Sequence, residues 1–163
     1  MNTGTAGRTR FPRHRYARPL LGALVMMAGL LLGPGSGTAT AAPMILCHRD
    51  SCYGKDPQAM GCSSDAITLD TVRTGREVTI ELRGSQACGA YWTRYSNYFG
   101  FDGAVYTKSM STPGMATRKE LAAYRGETGW TGMVSTSQTV LGCYAYWIDA
   151  TGAGWQTTCT RTV

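Results

Sequence analysis

Six cysteines, Cys47, Cys52, Cys62, Cys88, Cys143 and Cys159, constrain this chain more than any other feature. Their chemistry depends on the compartment, and the N-terminus speaks to that. Arg8, Arg10, Arg13, Arg15 and Arg18 form a basic leader without an acidic residue, Leu20 to Leu32 is apolar or small, and a small-residue stretch ends in Ala39-Thr40-Ala41. That order is the pattern of a cleavable export signal, with cleavage expected after Ala41. The apolar run of thirteen residues is short of the ~20 that span a bilayer. No adjacent Arg pair precedes it, so twin-arginine export is not expected; Leu46 before Cys47 does not suit a lipid anchor, so no membrane anchor is expected after cleavage. An even cysteine count in an exported chain reads as three disulfides. The expectation is a signal peptide over residues 1–41 and one secreted β-rich domain over 42–163.

Removing the leader changes the charge argument. Five of the 16 basic residues and none of the 10 acidic ones lie in it, so the remainder carries 11 basic against 10 acidic residues, a net +1. A nucleic-acid partner is therefore not expected. The remaining 163 − 41 = 122 residues can bury a core of their own.

Apolar alternation marks strands. Ala66 to Val72 and Val78 to Leu82 read as a hairpin about Thr74-Gly75, with Arg73 opposite Arg76, Ile67 opposite Leu82, Leu69 opposite Ile80 and Thr71 opposite Val78. Thr68, Asp70, Thr79 and Glu81 then share the polar face. Extending the ladder sets Cys62 opposite residue 87, so one bulge would let it bond Cys88. Ala90 to Phe99 and Ala104 to Ser109 read as a second hairpin about Asp102-Gly103, with Phe99 opposite Tyr106. Ser111-Thr-Pro-Gly114 breaks the chain. Thr117-Arg-Lys-Glu120 fits a helix capping box, but a hairpin about Gly126 to Gly129, setting Leu121 to Val134 face to face, suits the apolar pattern better. Val140 to Ile148 with Trp155 to Thr162, turning about Thr151, sets Cys143 opposite Cys159. The expected pairs are Cys62–Cys88, Cys143–Cys159 and, by elimination, Cys47–Cys52. The fold class is all-β, a small disulfide-stapled antiparallel barrel or sandwich of about eight short strands.

Cys52-Tyr-Gly-Lys-Asp-Pro-Gln-Ala-Met-Gly-Cys62, then Asp65-Ala66, Glu81-Leu-Arg83, Cys88 and Trp92-Thr-Arg94, resemble the family known as domain of unknown function 2690. The likeness covers about residues 47–94, with a weaker echo at Trp130 to Val134. It implies a small exported bacterial protein, some modules of this type sitting on larger regulators, and carries no activity, ligand or catalytic residue. Cys159 lies outside it.

The chemistry-bearing residues form no catalytic set. His48 is the one histidine after the leader, and no Gly-x-Ser-x-Gly elbow accompanies it, so it reads as a solvated loop residue without a catalytic role. A zinc set of Cys47, His48, Cys52 and Cys62 matches no common ligand spacing; neither a metal nor a cofactor is expected. Asp65, Asp70, Glu77 and Glu81 offer the carboxylates a glycosidase needs, but a hairpin's charged face explains them more simply. Lys55-Asp56-Pro57 reads as a turn in which Asp56 bonds its own backbone, or else as a recognition loop.

The aromatics carry more information. Thirteen of the fourteen beyond the leader follow residue 90. On strands such as Tyr91-Trp92 and Tyr144-Ala-Tyr-Trp147 they fall on both faces, which suggests that one face stays exposed. Trp92, Trp130, Trp147 and Trp155 are the candidate binding residues. The expectation is a non-enzymatic secreted binding module whose partner is cell-wall polysaccharide or an extracellular protein. A secreted inhibitor or effector presenting a disulfide-held loop comes next, and a hydrolase of unfamiliar type last.

Overall fold

Alternating apolar residues build the centre of the molecule. In the computed structural model, which describes residues 44–148 and 154–163, Val78, Ile80 and Leu82 are fully buried while Thr79, Glu81 and Arg83 between them are partly exposed. This is the signature of a strand with one face on a core. The leader, its cleavage point and the turn about Thr151 lie outside the described residues.

Nine strands form two antiparallel sheets among the described residues. The first holds β1 (Ile67–Arg73), β2 (Val78–Ser85), β3 (Ala90–Asn97) and β6 (Glu127–Trp130) in that order, with β7 (Val134–Ser135) also paired to β3. The second runs β5 (Ala116–Glu120), β4 (Ala104–Ser109), β8 (Val140–Ile148), β9 (Gly154–Cys159). Val78, Ile80 and Tyr95 from the first pack on Val105 and Tyr144 from the second, which makes an open sandwich rather than a closed barrel. A buried hydroxyl chain crosses the interface: Thr93 Oγ1 lies 2.8 Å from Thr107 Oγ1, which lies 2.8 Å from Thr131 Oγ1.

The first hairpin forms in a different register from the expected one. Glu77 takes a left-handed conformation (φ 59°), and Thr74 and Val78 close a three-residue loop through Thr74 N–H to Val78 O, 3.0 Å. Val72 therefore pairs with Ile80 and Asp70 with Leu82, and an irregularity at Leu69 shifts the register again, setting Ile67 opposite Gly84 rather than Leu82. Asp70 consequently leaves the polar face and accepts from Arg161, at 2.8 Å from N–H and 3.1 Å from Nη2.

The second expected hairpin is absent: β3 and β4 lie in different sheets. Buried Asn97 decides this. Its Oδ1 accepts from Gly100 N and Phe101 N, its Nδ2 donates to Phe101 O at 2.7 Å, and the chain is carried across instead of folding back. Residues 117–136 hold no helix, but their strands do not pair with each other either: β5 joins β4 through the 111–114 turn, and β6 joins β3.

The three disulfides are Cys47–Cys52, Cys62–Cys88 and Cys143–Cys159. The first two stack, with Cys47 Sγ 3.9 Å from Cys62 Sγ, and form a second small core with Ala90, Trp92 and Met133. This knot ties residues 47–62 onto the outer face of the first sheet. No helix of the described residues is long and apolar enough to cross a membrane.

Candidate functional site

The second sheet carries the open aromatic surface. Along β8, Val140, Gly142 and Tyr144 are buried on the inward face. Alternation therefore points Cys143, Ala145 and Trp147 outward. Register sets Cys143 against Cys159 and Trp147 against Trp155, so the disulfide and the tryptophan pair share that outer face. Trp147 and Trp155 are 50% and 58% exposed, and their rings meet edge-to-face with centroids 5.7 Å apart. Such a pair contributes about 0.5–1.5 kcal/mol beyond its buried area.

Beside the pair runs a groove of about 380 Å³ lined by Ala104, Tyr106, Arg118, Ala145, Trp155 and Thr157 among others. Ala104 and Ala145 pair directly across β4 and β8, so two methyl groups form a floor between aromatic walls. An ion pair of Arg118 with Glu120, 2.6 Å, lies at the rim. An apolar floor, exposed rings and few polar groups can hold a flat ring-shaped ligand by stacking.

The other two sequence-chosen tryptophans are elsewhere. Trp92 is 3% exposed and packs in the disulfide core, a correction to its expected place on a free surface. The premise that such strands leave one face open fails for β3, because the sandwich covers one face and the cysteine-held segment the other. Trp130 is half-buried against the same core, and its indole N–H donates to Asp56 Oδ2 at 2.9 Å. Tyr106, Ala104, Ala145 and Arg118 escaped the sequence reading. The β4–β5 pairing sets Arg118 beside Tyr106, and the β4–β8 pairing, which joins segments about 35 residues apart, adds Ala145 beside Ala104.

The carboxylates are engaged structurally. Asp65 accepts from Ser85 Oγ at 2.5 Å and Ala87 N at 2.8 Å; burial opposes its ionisation, but these hydrogen bonds outweigh it and hold its pKa below the ordinary value. Glu81 takes Arg94 at 2.7 Å and Arg83 at 3.6 Å, and Glu77 pairs with Arg73. Asp56 accepts from Gln58 N and Ala59 N, the turn its sequence suggested. The 53–61 segment is fastened down through Gly54 N–H to Met133 O and Met133 N–H to Lys55 O. The sulfurs of Cys47, Cys52, Cys62 and Cys88 lie within 4.8 Å of one another, but all four are consumed in disulfides.

Fold and site thus define a disulfide-stapled β-sandwich with one open aromatic sheet face. Residues 50–145 match the model of the family described as protein of unknown function DUF2690, and the chain belongs to that family. No curated protein and no solved structure matches the chain. Trp147, Trp155 and Cys159 lie beyond the matched residues.

Proposed function

We propose that this chain is a secreted, non-catalytic binding module that takes cell-wall polysaccharide on the outer face of its second sheet. The observation carrying the reading is the half-exposed Trp147–Trp155 pair beside the alanine-floored groove with Tyr106. Sugar rings present flat C–H faces that stack on such surfaces. The leader and the three disulfides support an extracellular site of action. The pairing of Asp65, Asp70, Glu77 and Glu81 with local donors supports a non-catalytic role. The fastening of residues 53–61 favours this reading over a presented inhibitory loop.

The test is sedimentation of purified protein with insoluble bacterial cell wall, chitin and cellulose. Binding to at least one polymer is expected, and Trp147→Ala and Trp155→Ala each weaken it about tenfold or more while the fold persists. With a net charge of +1 beyond the leader, salt changes binding little. Retention that survives both substitutions refutes the reading.

A further inference from the structure

A second cleft lies at the far end of the first sheet, with several polar side chains on its lining. It has a volume of about 490 Å³, in the range of small-ligand sites, and is lined by His48, Arg49, Asp65, Gln86, Tyr91 and Thr136 over an apolar wall. We propose that it binds a sugar acid, with the ligand's carboxylate on Arg49 and His48 and its ring against Tyr91.

The cleft is organised around two glycines. Gly84 stands between Ile67 and Tyr91 in the pairing, and a Cβ there would lie 3.0 Å from both Leu69 Cδ1 and the Tyr91 ring. Its missing side chain lets those two groups close over the strand as the apolar wall. Gly89, at φ 58°, is the polar hub: a Cβ there would lie 2.9 Å from Arg49 Cγ, 3.4 Å from Thr136 Oγ1 and 3.5 Å from His48 Nε2. Three lining side chains converge on one residue. The backbone pins them there, through Arg49 N–H to Cys88 O at 2.7 Å and Thr136 N–H to Gly89 O at 2.9 Å. Cys47–Cys52 closes the loop that bears His48 and Arg49, and Cys62–Cys88 anchors the residue before Gly89. Both walls are therefore braced before a ligand arrives, which lowers the entropy lost on binding.

The charges select the ligand. Ion pairs of the described residues engage Arg73, Arg76, Arg83, Arg94, Arg118 and Arg161, and Arg49 is in none of them. A planar guanidinium with free donors suits a carboxylate. Asp65, the one acid in the lining, has both oxygens occupied by Ser85 and Ala87. Its remaining lone pairs, with Gln86 and Thr136, suit hydroxyl groups. A carboxylate on a hydroxylated ring satisfies both sets; a simple fatty or amino acid satisfies only the first.

The test is isothermal titration of purified protein, in the N-terminal form that mass spectrometry identifies, with sodium glucuronate, glucose, acetate and N-acetylalanine. Glucuronate is expected to bind at least about tenfold more tightly than the other three, and Arg49→Ala to weaken it about tenfold with an unchanged melting temperature. Arg49→Lys retains part of the affinity, and Gly89→Ala, which displaces the converging side chains, loses it. Trp155→Ala leaves the glucuronate isotherm unchanged, which separates this site from the outer-face groove. Equal binding of glucose, acetate or N-acetylalanine, full affinity in Arg49→Ala, or loss in Trp155→Ala overturns the proposal.

Discussion

Replacing Trp92 by alanine removes the largest buried side chain of the disulfide core. The indole is 3% exposed and lies among Cys47, Cys52, Cys62, Cys88, Ala90 and Met133. Truncating a buried Trp costs about 3–5 kcal/mol through lost transfer energy and the cavity left behind. The upper part of that range is expected, because two disulfides cross-link the walls and limit their collapse into the void. For a domain of this size, at about 4 °C per kcal/mol, the upper part of the range lowers the melting temperature by about 16–20 °C. Trp155→Ala, by contrast, removes a half-exposed ring and one edge-to-face contact. Its cost is about 0.5–1.5 kcal/mol, or about 2–6 °C. Thermal unfolding followed by near-ultraviolet circular dichroism, with disulfides intact, measures both on one scale. A loss below about 1 kcal/mol for Trp92→Ala, or a larger loss for Trp155→Ala, would refute the assignment of core and surface.

Removing both Cys143 and Cys159 in favour of alanine opens a crosslink of sequence separation 16, and loop-closure entropy sets the expected loss at about 3 kcal/mol in guanidinium unfolding. The cysteines join adjacent positions of β8 and β9, so the variant keeps its far-ultraviolet spectrum; loss of strand signal would contradict that. Burial, with smaller contributions from Asp102 and Tyr146 and opposition from Arg76, pushes the Tyr144 phenol up to about 12. The folded state holds that proton more tightly than the unfolded chain, where the phenol titrates near pH 10. Stability is therefore complete below pH 10 and falls as pH rises from 10 towards 12. Denaturation midpoints across pH 8 to 11.5 should show the fall, and Tyr144→Phe should lessen it, the phenol of Tyr95, raised by burial and by Glu127, sustaining the rest; identical profiles would dispose of the assignment.

Strand content and the three cysteine pairings were legible in the residues themselves. Alternation over five to nine residues is a local property, and a half-buried strand must display it. The pairing of Cys143 with Cys159 was equally local, since a single hairpin sets both. The first hairpin's register was not, because Thr74-Gly75 and the left-handed Glu77 offered competing turns, and the claim of the C-terminal segment on Asp70 through Arg161 accompanied the winner. Partnering between sheets was beyond local reading. Asn97 diverts β3 from β4 through hydrogen bonds that exist only once the loop is folded. Exposure was decided last and farthest from the sequence. Trp92 and Trp147 both sit on aromatic-rich strands that are central in their sheets, and nothing in their neighbours separates them. What separates them is a segment some thirty residues upstream of Trp92, held against its sheet face by two disulfides. A side chain's burial depends on what packs over it, and that covering is a tertiary fact.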